Sequence, residues 1–292
     1  MLLLHLITCG DISNEPFLED AEYLAALPSE KRHTVDLEEP EADVMEPSLL
    51  TNTTLISHAV NGTILLLLEN VETVRALPPT TRSPVQRTWG PYDRGAGLQV
   101  SAQMTRSGFG QFDWEFHGLK DREDVIFLSG THQAGETVSA GLGDFVWDYG
   151  ATAALQGEVG AGVLTVVYDN REGVDLLVDI GDWNQPGVFT GDFGYAYRLV
   201  GGAGDFQYVT SEVPEWSAEV AFYSVRTRWI VGQGGRSDAV VTGGGLAEPL
   251  EWVQCWAASG AGVYDYDTLG VTEPYGDQAD CVHSDFARVD RL

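Results

Sequence analysis

From about residue 86 onward, large apolar and polar residues alternate with the two-residue period of β-strands. Phe112, Trp114 and Phe116 alternate with Asp113 and Glu115. The same spacing relates Tyr195 to Tyr197, Phe206 to Tyr208, and Tyr264 to Tyr266. Turn-forming pairs separate such runs, namely Asp169-Asn170, Gly201-Gly202 and Gly234-Gly235. We therefore expect about ten to twelve strands in an antiparallel meander over residues 86–292, either a curved sheet or partly open barrel, or a sandwich.

The N-terminal part of the chain has helical spacing instead. Residues 10–48 predict an acidic tether with one short helix that begins near Pro16 and ends at Pro28. Residues 49–80 carry a broad apolar stripe that Pro78-Pro79 ends, and a bend at Asn61-Gly62 could divide this helical segment. The sequence thus predicts an α+β, mostly β fold, with N-terminal helices packed on a large antiparallel sheet.

Residues 1–9 are typical of a secretion signal that ends in a lipid-attachment cysteine. Leu6-Ile7-Thr8 precedes Cys9 after an apolar stretch, although no Lys or Arg comes before it. The prediction is an exported protein, held in a bacterial cell envelope by lipid on Cys9 and anchored at the outer membrane facing the periplasm or the surface. A short apolar N-terminal strand or helix with a buried thiol is the alternative. No later run of about 20 consecutive apolar residues follows, so we expect the remainder to be water-soluble.

The charge of the chain excludes several partners. Forty-four Asp and Glu against 16 Lys and Arg give a formal net charge of −28. Nucleic acids and anionic lipid head groups require clustered Lys and Arg, so neither is expected to bind. A solvated acidic surface explains the composition.

The two remaining cysteines predict a disulfide between Cys255 and Cys281. An even pair in an exported chain favours a disulfide, and Cys/His ligands for zinc are too few. Closing this loop contributes roughly 3 kcal/mol in the chain-entropy view. We expect it to tie the last hairpin to the C-terminal tail.

Oxygen-rich clusters near the C-terminus are the candidate metal ligands. They comprise Asp265 and Asp267, then Asp277, Asp280 and Asp285. Ca²⁺ prefers such oxygens, but no twelve-residue EF-type loop is present. Solvated turns are the favoured interpretation, with no cofactor expected and Ca²⁺ as the alternative.

We assign no catalytic residue. The sequence contains no Gly-x-Ser-x-Gly, no His-Glu-x-x-His and no phosphate-binding loop. Ser129 lies close to His132 in sequence, but sequence proximity alone does not make a catalytic pair. The acids considered for a glycosidase pair are Asp113, Glu115, Glu212 and Glu215, which sequence alone cannot place across a cleft. The tryptophans that could stack on sugars are Trp147, Trp183, Trp216 and Trp229, which we expect in the core.

Several short motifs resemble a group of uncharacterised secreted lipoproteins typical of myxobacteria and their relatives. They are Cys9, the Phe17–Pro28 stretch, Trp89-Gly90-Pro91-Tyr92, Leu128-Ser129-Gly130, Gln254-Cys255-Trp256, and the Gly276–Cys281 stretch. The resemblance implies export, lipidation and a β-rich body, and it brings no activity with it.

Three functions remain. The first is a lipid-anchored, non-catalytic binding or structural module whose partner is an unknown envelope protein. The second is a carrier of an apolar ligand in a curved-sheet cavity. The third is an envelope hydrolase with an active site assembled from distant strands.

Overall fold

The computed structural model describes residues 15–37, 48–185, 189–214 and 217–292. Four α-helices lie in these residues: α1 Glu15–Ala25, α2 Glu30–His33, α3 Ser48–Arg75 and α4 Tyr149–Gln156. A short 3-10 helix, Gln278–Asp280, precedes the C-terminal tail.

All strands of the described residues belong to one antiparallel sheet. The first eight strands are β1 Thr81–Ser83, β2 Gln86–Asp93, β3 Gln99–Gly108, β4 Gln111–Lys120, β5 Glu123–Thr137, β6 Ala140–Asp148, β7 Ala161–Asp169 and β8 Val174–Gln185. The others are β9 Phe189–Val200, β10 Ala203–Glu212, β11 Ala221–Ile230, β12 Gly234–Gly243, β13 Leu250–Ala257, β14 Gly262–Asp267 and β15 Tyr275–Gly276. The α+β, mostly β prediction is confirmed, whereas ten to twelve strands was too low a count.

The sheet is an open meander, because each strand pairs with its neighbours in sequence order. It is therefore neither a two-sheet sandwich nor a closed barrel. Two contacts of α3 show that it curves. The Leu49 backbone N–H donates to Gln254 of β13, and the Trp89 indole of β2 donates to the Leu77 carbonyl just beyond α3. The 28 residues of α3 span about 42 Å, whereas eleven strand spacings on a flat sheet would need about 53 Å, so the sheet must bend around the helix.

The concave face carries the core, and α3 lies against it. Every third or fourth residue of α3 is buried, which is the spacing of one helix face: Leu49, Leu50, Thr53, Ser57, Val60, Ile64, Leu67, Leu68, Val71 and Val74. Asn61 does not interrupt the helix, since its side chain instead bonds the backbone N–H and C=O of Val35 at 2.7 and 2.8 Å. By length and composition α3 could also cross a membrane, but here its buried stripe covers the sheet.

Aromatic side chains supply most of the sheet's contribution to this core. Trp114, Phe145, Tyr195 and Tyr208 lie along one row across the inner face and are almost fully buried. Neighbouring rings meet edge to face, as Tyr195 does with Phe206 at 5.6 Å. The alternation read from the sequence therefore corresponds to the inner and outer faces of the sheet.

Helix α4 was not foreseen, and its ends show why it forms. The Asp148 carboxylate accepts from the Ala151 backbone N–H at 2.8 Å, which caps the first turn. At the other end Gly157 adopts the left-handed conformation, with φ of 80°. Only eight residues separate these caps, too few for a clear apolar period.

We expect Asp148→Ala to lower the free energy of unfolding by about 1 kcal/mol, because the first turn of α4 loses its N-cap acceptor. Urea denaturation measures this change. Asp179→Ala is the matched control, since Asp179 is exposed on β8 and caps no helix. Equal destabilisation by the two variants would show that the cap contributes nothing.

Candidate functional site

The cysteine expected to carry lipid, Cys9, lies outside the described residues, so its modification stays a prediction. Glu215 and Trp216 also lie outside them, and the side chain of Glu212 is not described. Trp147, Trp183 and Trp229 are buried, which confirms the core interpretation for those three.

The disulfide and the chain that follows it contact strands that are distant in sequence. Among the described residues, these contacts form the most extensive set of polar contacts between distant segments. Cys255 and Cys281 lie at bonding distance, with their Cα atoms 5.5 Å apart. Cys255 is fully buried on the outer face of β13. From this point residues 281–292, which we call the C-terminal strap, run across the outer face of the sheet.

Three outward-facing arginines of β11 and β12 hold the strap. Arg228 contacts the Asp285 carboxylate at 3.2 Å, and Arg226 contacts that of Asp290 at 2.7 Å. Arg236 donates to the His283 carbonyl at 3.2 Å. The hydrogen bond from Arg226 lowers the pKa of Asp290. The strap then reaches β8, where Arg291 pairs with Asp175.

A buried ion pair lies directly beneath the strap. Asp238 of β12 is within 2.7 Å of Arg236 and 3.0 Å of Arg228, and it also accepts from the backbone N–H of Ala287. Burial raises the pKa of the Asp238 carboxyl, while the two guanidinium groups oppose that change. The two cationic partners favour the ionised form of the Asp238 carboxyl.

The acids considered as Ca²⁺ ligands make hydrogen bonds within the protein. Asp265 accepts from the Trp252 indole at 2.9 Å and from the Gln254 amide at 2.6 Å. Asp267 accepts backbone N–H groups of the loop that follows, including that of Thr272 at 2.6 Å. Burial would raise the pKa of Asp267, but these donors lower it overall.

The second acidic cluster is also used locally. Asp277 accepts from the Ala279 backbone and caps the 3-10 helix that contains Asp280. Among the described residues, no group of three or more His, Cys, Asp or Glu side chains is arranged to hold a metal ion.

Ser129 and His132 do not form a catalytic pair. They lie three residues apart on β5 and so point to opposite faces of the sheet. His132 is buried, where it bonds the Tyr168 hydroxyl at 2.8 Å and the Val138 carbonyl at 2.6 Å. Burial lowers the pKa of His132 and raises that of Tyr168, so both are neutral core groups.

A second buried histidine was missed in the sequence. The His33 ring packs edge-on against Tyr168 with 4.7 Å between ring centroids, and its Nδ1 lies 2.9 Å from the Ser29 carbonyl. Burial lowers the pKa of His33 to about 4. No periodic or motif signal marks the four-residue helix α2 that carries it.

A groove of about 580 Å³ lies where the C-terminal half of α3 faces α4 and β2–β3. Its apolar wall includes Leu66, Val100 and Trp147, and its polar rim includes Glu69 and Arg94. The Trp147 indole is satisfied internally, since it donates to Thr152 at 2.8 Å. The groove is lined on both sides and could hold a small ligand.

Comparison with protein-family models, curated proteins and solved structures finds no match for this chain. The resemblance to secreted lipoproteins therefore stays a prediction.

Proposed function

We propose that the chain is an exported, lipid-anchored module of a bacterial cell envelope that binds a partner or has a structural role, without catalysis. The observation that supports this proposal best is the filled interior of the sheet. The aromatic rows and the buried stripe of α3 occupy the space that a carrier would keep open for its ligand. The Cys255–Cys281 pair is compatible with an oxidising compartment.

The polar groups of the described residues also support a module without catalysis. His132 and Asp265, which the sequence singled out for chemistry or metal binding, are both engaged in internal hydrogen bonds. Both ring nitrogens of His132 and both carboxylate oxygens of Asp265 are thus occupied by partners within the protein.

The anchor is tested by expressing the full chain and the Cys9→Ser variant in a bacterial host that processes lipoproteins. We expect the wild-type chain to fractionate with membranes, and its intact mass to correspond to residues 9–292 plus acyl groups. Cys9→Ser should remain unacylated, because the thiol that accepts the lipid is gone. Cys281→Ser is the control for acylation, since it also replaces a cysteine but leaves Cys9 in place. An unmodified Met1 start in the wild-type chain would contradict the proposal.

The groove between α3 and α4 favours one second candidate, a carrier of a small, partly apolar ligand. Native mass spectrometry of residues 10–292 should give a bare mass if the module binds a protein partner. A reproducible extra mass would support the carrier instead. In that case Leu66→Asp, in the groove, should remove the extra mass, and Leu55→Asp, exposed on the same helix outside the groove, should keep it.

A further inference from the structure

Three exposed apolar side chains lie beside the first strands, at one end of the sheet, and do not contribute to the core. We call Leu18, Val85 and Phe109 the end patch. Phe109 is fully exposed at the tip of the β3–β4 hairpin, and Val85, 54% exposed, lies in the β1–β2 turn. Between these two turns the chain runs along β2 to the opposite end of the sheet and returns along the antiparallel strand β3. The two turns therefore lie at the same end of the sheet.

Helix α1 is fixed against this end by ion pairs. Arg106 donates its backbone N–H to the Val85 carbonyl at 2.7 Å, and its side chain pairs with Glu22 at 2.6 Å. One turn earlier Glu19 lies 2.6 Å from Arg87, which also donates to the Ser83 carbonyl beside the β1–β2 turn. Leu18, 67% exposed, directly precedes Glu19 and so lies at the same end.

The end patch lies close to the expected anchor along the chain. Cys9 is six residues before Glu15, the first residue of α1. Six residues span at most about 21 Å when fully extended. A lipid on Cys9 therefore holds the start of α1 within that distance of the membrane.

The charge near the end patch differs from that of the whole chain. Arg82, Arg87 and Arg106 are matched there by three acids of α1, Glu19, Asp20 and Glu22. These pairs neutralise three of the four acids of α1 and leave Glu15, so the negative charge that disfavours anionic membranes is largely reduced there. Phe and Leu side chains of peripheral proteins bury at the boundary between the head groups and the acyl chains of a bilayer.

We propose that the end patch, with Phe109 at its tip, rests in the interface of a zwitterionic bilayer and orients the anchored protein. This inference rests on the lipid anchor proposed above. It adds that the protein has a defined orientation on the membrane, with the β1–β2 and β3–β4 turns facing the lipid.

The test places a polarity-sensitive fluorophore on the acylated chain through Phe109→Cys. In the proposed mature protein this is the only free thiol, since Cys9 carries lipid and Cys255 is paired with Cys281. On phosphatidylcholine vesicles we expect a blue shift of the emission and a loss of quenching by aqueous iodide. Val231→Cys is the matched control, because Val231 is exposed in the β11–β12 turn at the same end, far along the sheet. Its label should stay quenchable.

The two proposals fail in different ways. An acylated chain that floats with the vesicles while the label at position 109 stays quenchable overturns the orientation and leaves the anchor standing. If intact mass shows no acylation, the anchor fails. The same label is then read on residues 10–292 held on nickel-chelating phosphatidylcholine vesicles by an N-terminal histidine tag. There a blue shift supports contact of the end patch with lipid, and an unchanged spectrum excludes it.

Discussion

We expect the Asp238→Ala variant to lose about 3–5 kcal/mol of unfolding free energy, because it leaves two guanidinium groups without their shared carboxylate. Arg236 is 1% exposed, so water has little access to its guanidinium, whereas Arg228 is 13% exposed and keeps Asp285 as a partner. The backbone N–H of Ala287 loses its acceptor as well. Urea denaturation of residues 10–292 measures the change.

Asp285→Ala is the matched control for this variant. Asp285 contacts the same Arg228 from the strap, but its side chain is 72% exposed. An exposed pair of this kind contributes about 0–1 kcal/mol. If both variants lose the same unfolding free energy, burial does not determine how much the Asp238 ion pair contributes to stability. The double variant Arg236→Ala/Asp238→Ala should be less destabilised than the sum of the two single variants, because neither charge is then left unpaired by the other.

The parts of the fold that the sequence predicted are those fixed by local periodicity. Trp114 and Phe116 alternate with polar residues because one face of β4 is buried and the other is wet. The buried stripe of α3 follows the helical spacing in the same way. In both cases the period of the backbone determines which side chains meet the core, and that period is visible in the sequence.

Glycine shows where local reasoning was wrong. Gly234-Gly235 was expected to be a turn, yet both residues belong to β12. A Cβ on Gly235 would lie 2.4 Å from the Trp256 ring and 2.9 Å from the Cβ of Trp229. The missing side chain makes room for the Trp256 ring and for the Cβ of Trp229. A strand glycine of this kind and a turn glycine look alike until the strands are paired.

Contacts between segments distant in sequence account for the other differences between the sequence-based predictions and the structure. Asp265 was a candidate cation ligand because it is an acid in an acidic segment, and the structure gives it the Trp252 and Gln254 donors from the neighbouring strand. The sequence did not predict the buried charges on β12 for the same reason. Arg236 and Asp238 read as solvated residues of a β-strand until the C-terminal strap is placed over them.

The strap depends on the disulfide, and we expect Cys255→Ala/Cys281→Ala to lose about 3 kcal/mol of unfolding free energy. The bond closes a loop between residues 26 apart in sequence, so its removal restores chain entropy to the unfolded state. It also frees the first residue of the strap from β13. The ion pairs of Asp285 and Asp290 with the sheet are largely exposed at the carboxylate, so each adds little to the hydrogen bonds that the strap makes through His283 and Ala287. Limited proteolysis should therefore cleave within residues 281–292 in the variant well before the rest of the domain.

Treatment with a thiol reductant distinguishes the effect of losing the disulfide from the effect of replacing two cysteine side chains. A thiol reductant should lower the stability of residues 10–292 by nearly the same amount as the double variant, and it should leave the double variant unchanged. Cleavage of the strap should follow the same pattern, appearing in the wild-type chain only after reduction. A strap that stays protected without the disulfide would mean that Arg226, Arg228 and Arg236 are sufficient to hold it. The buried ion pair beneath the strap would then account for the stability of this face of the sheet. The disulfide would stabilise the protein only by lowering the entropy of the unfolded chain.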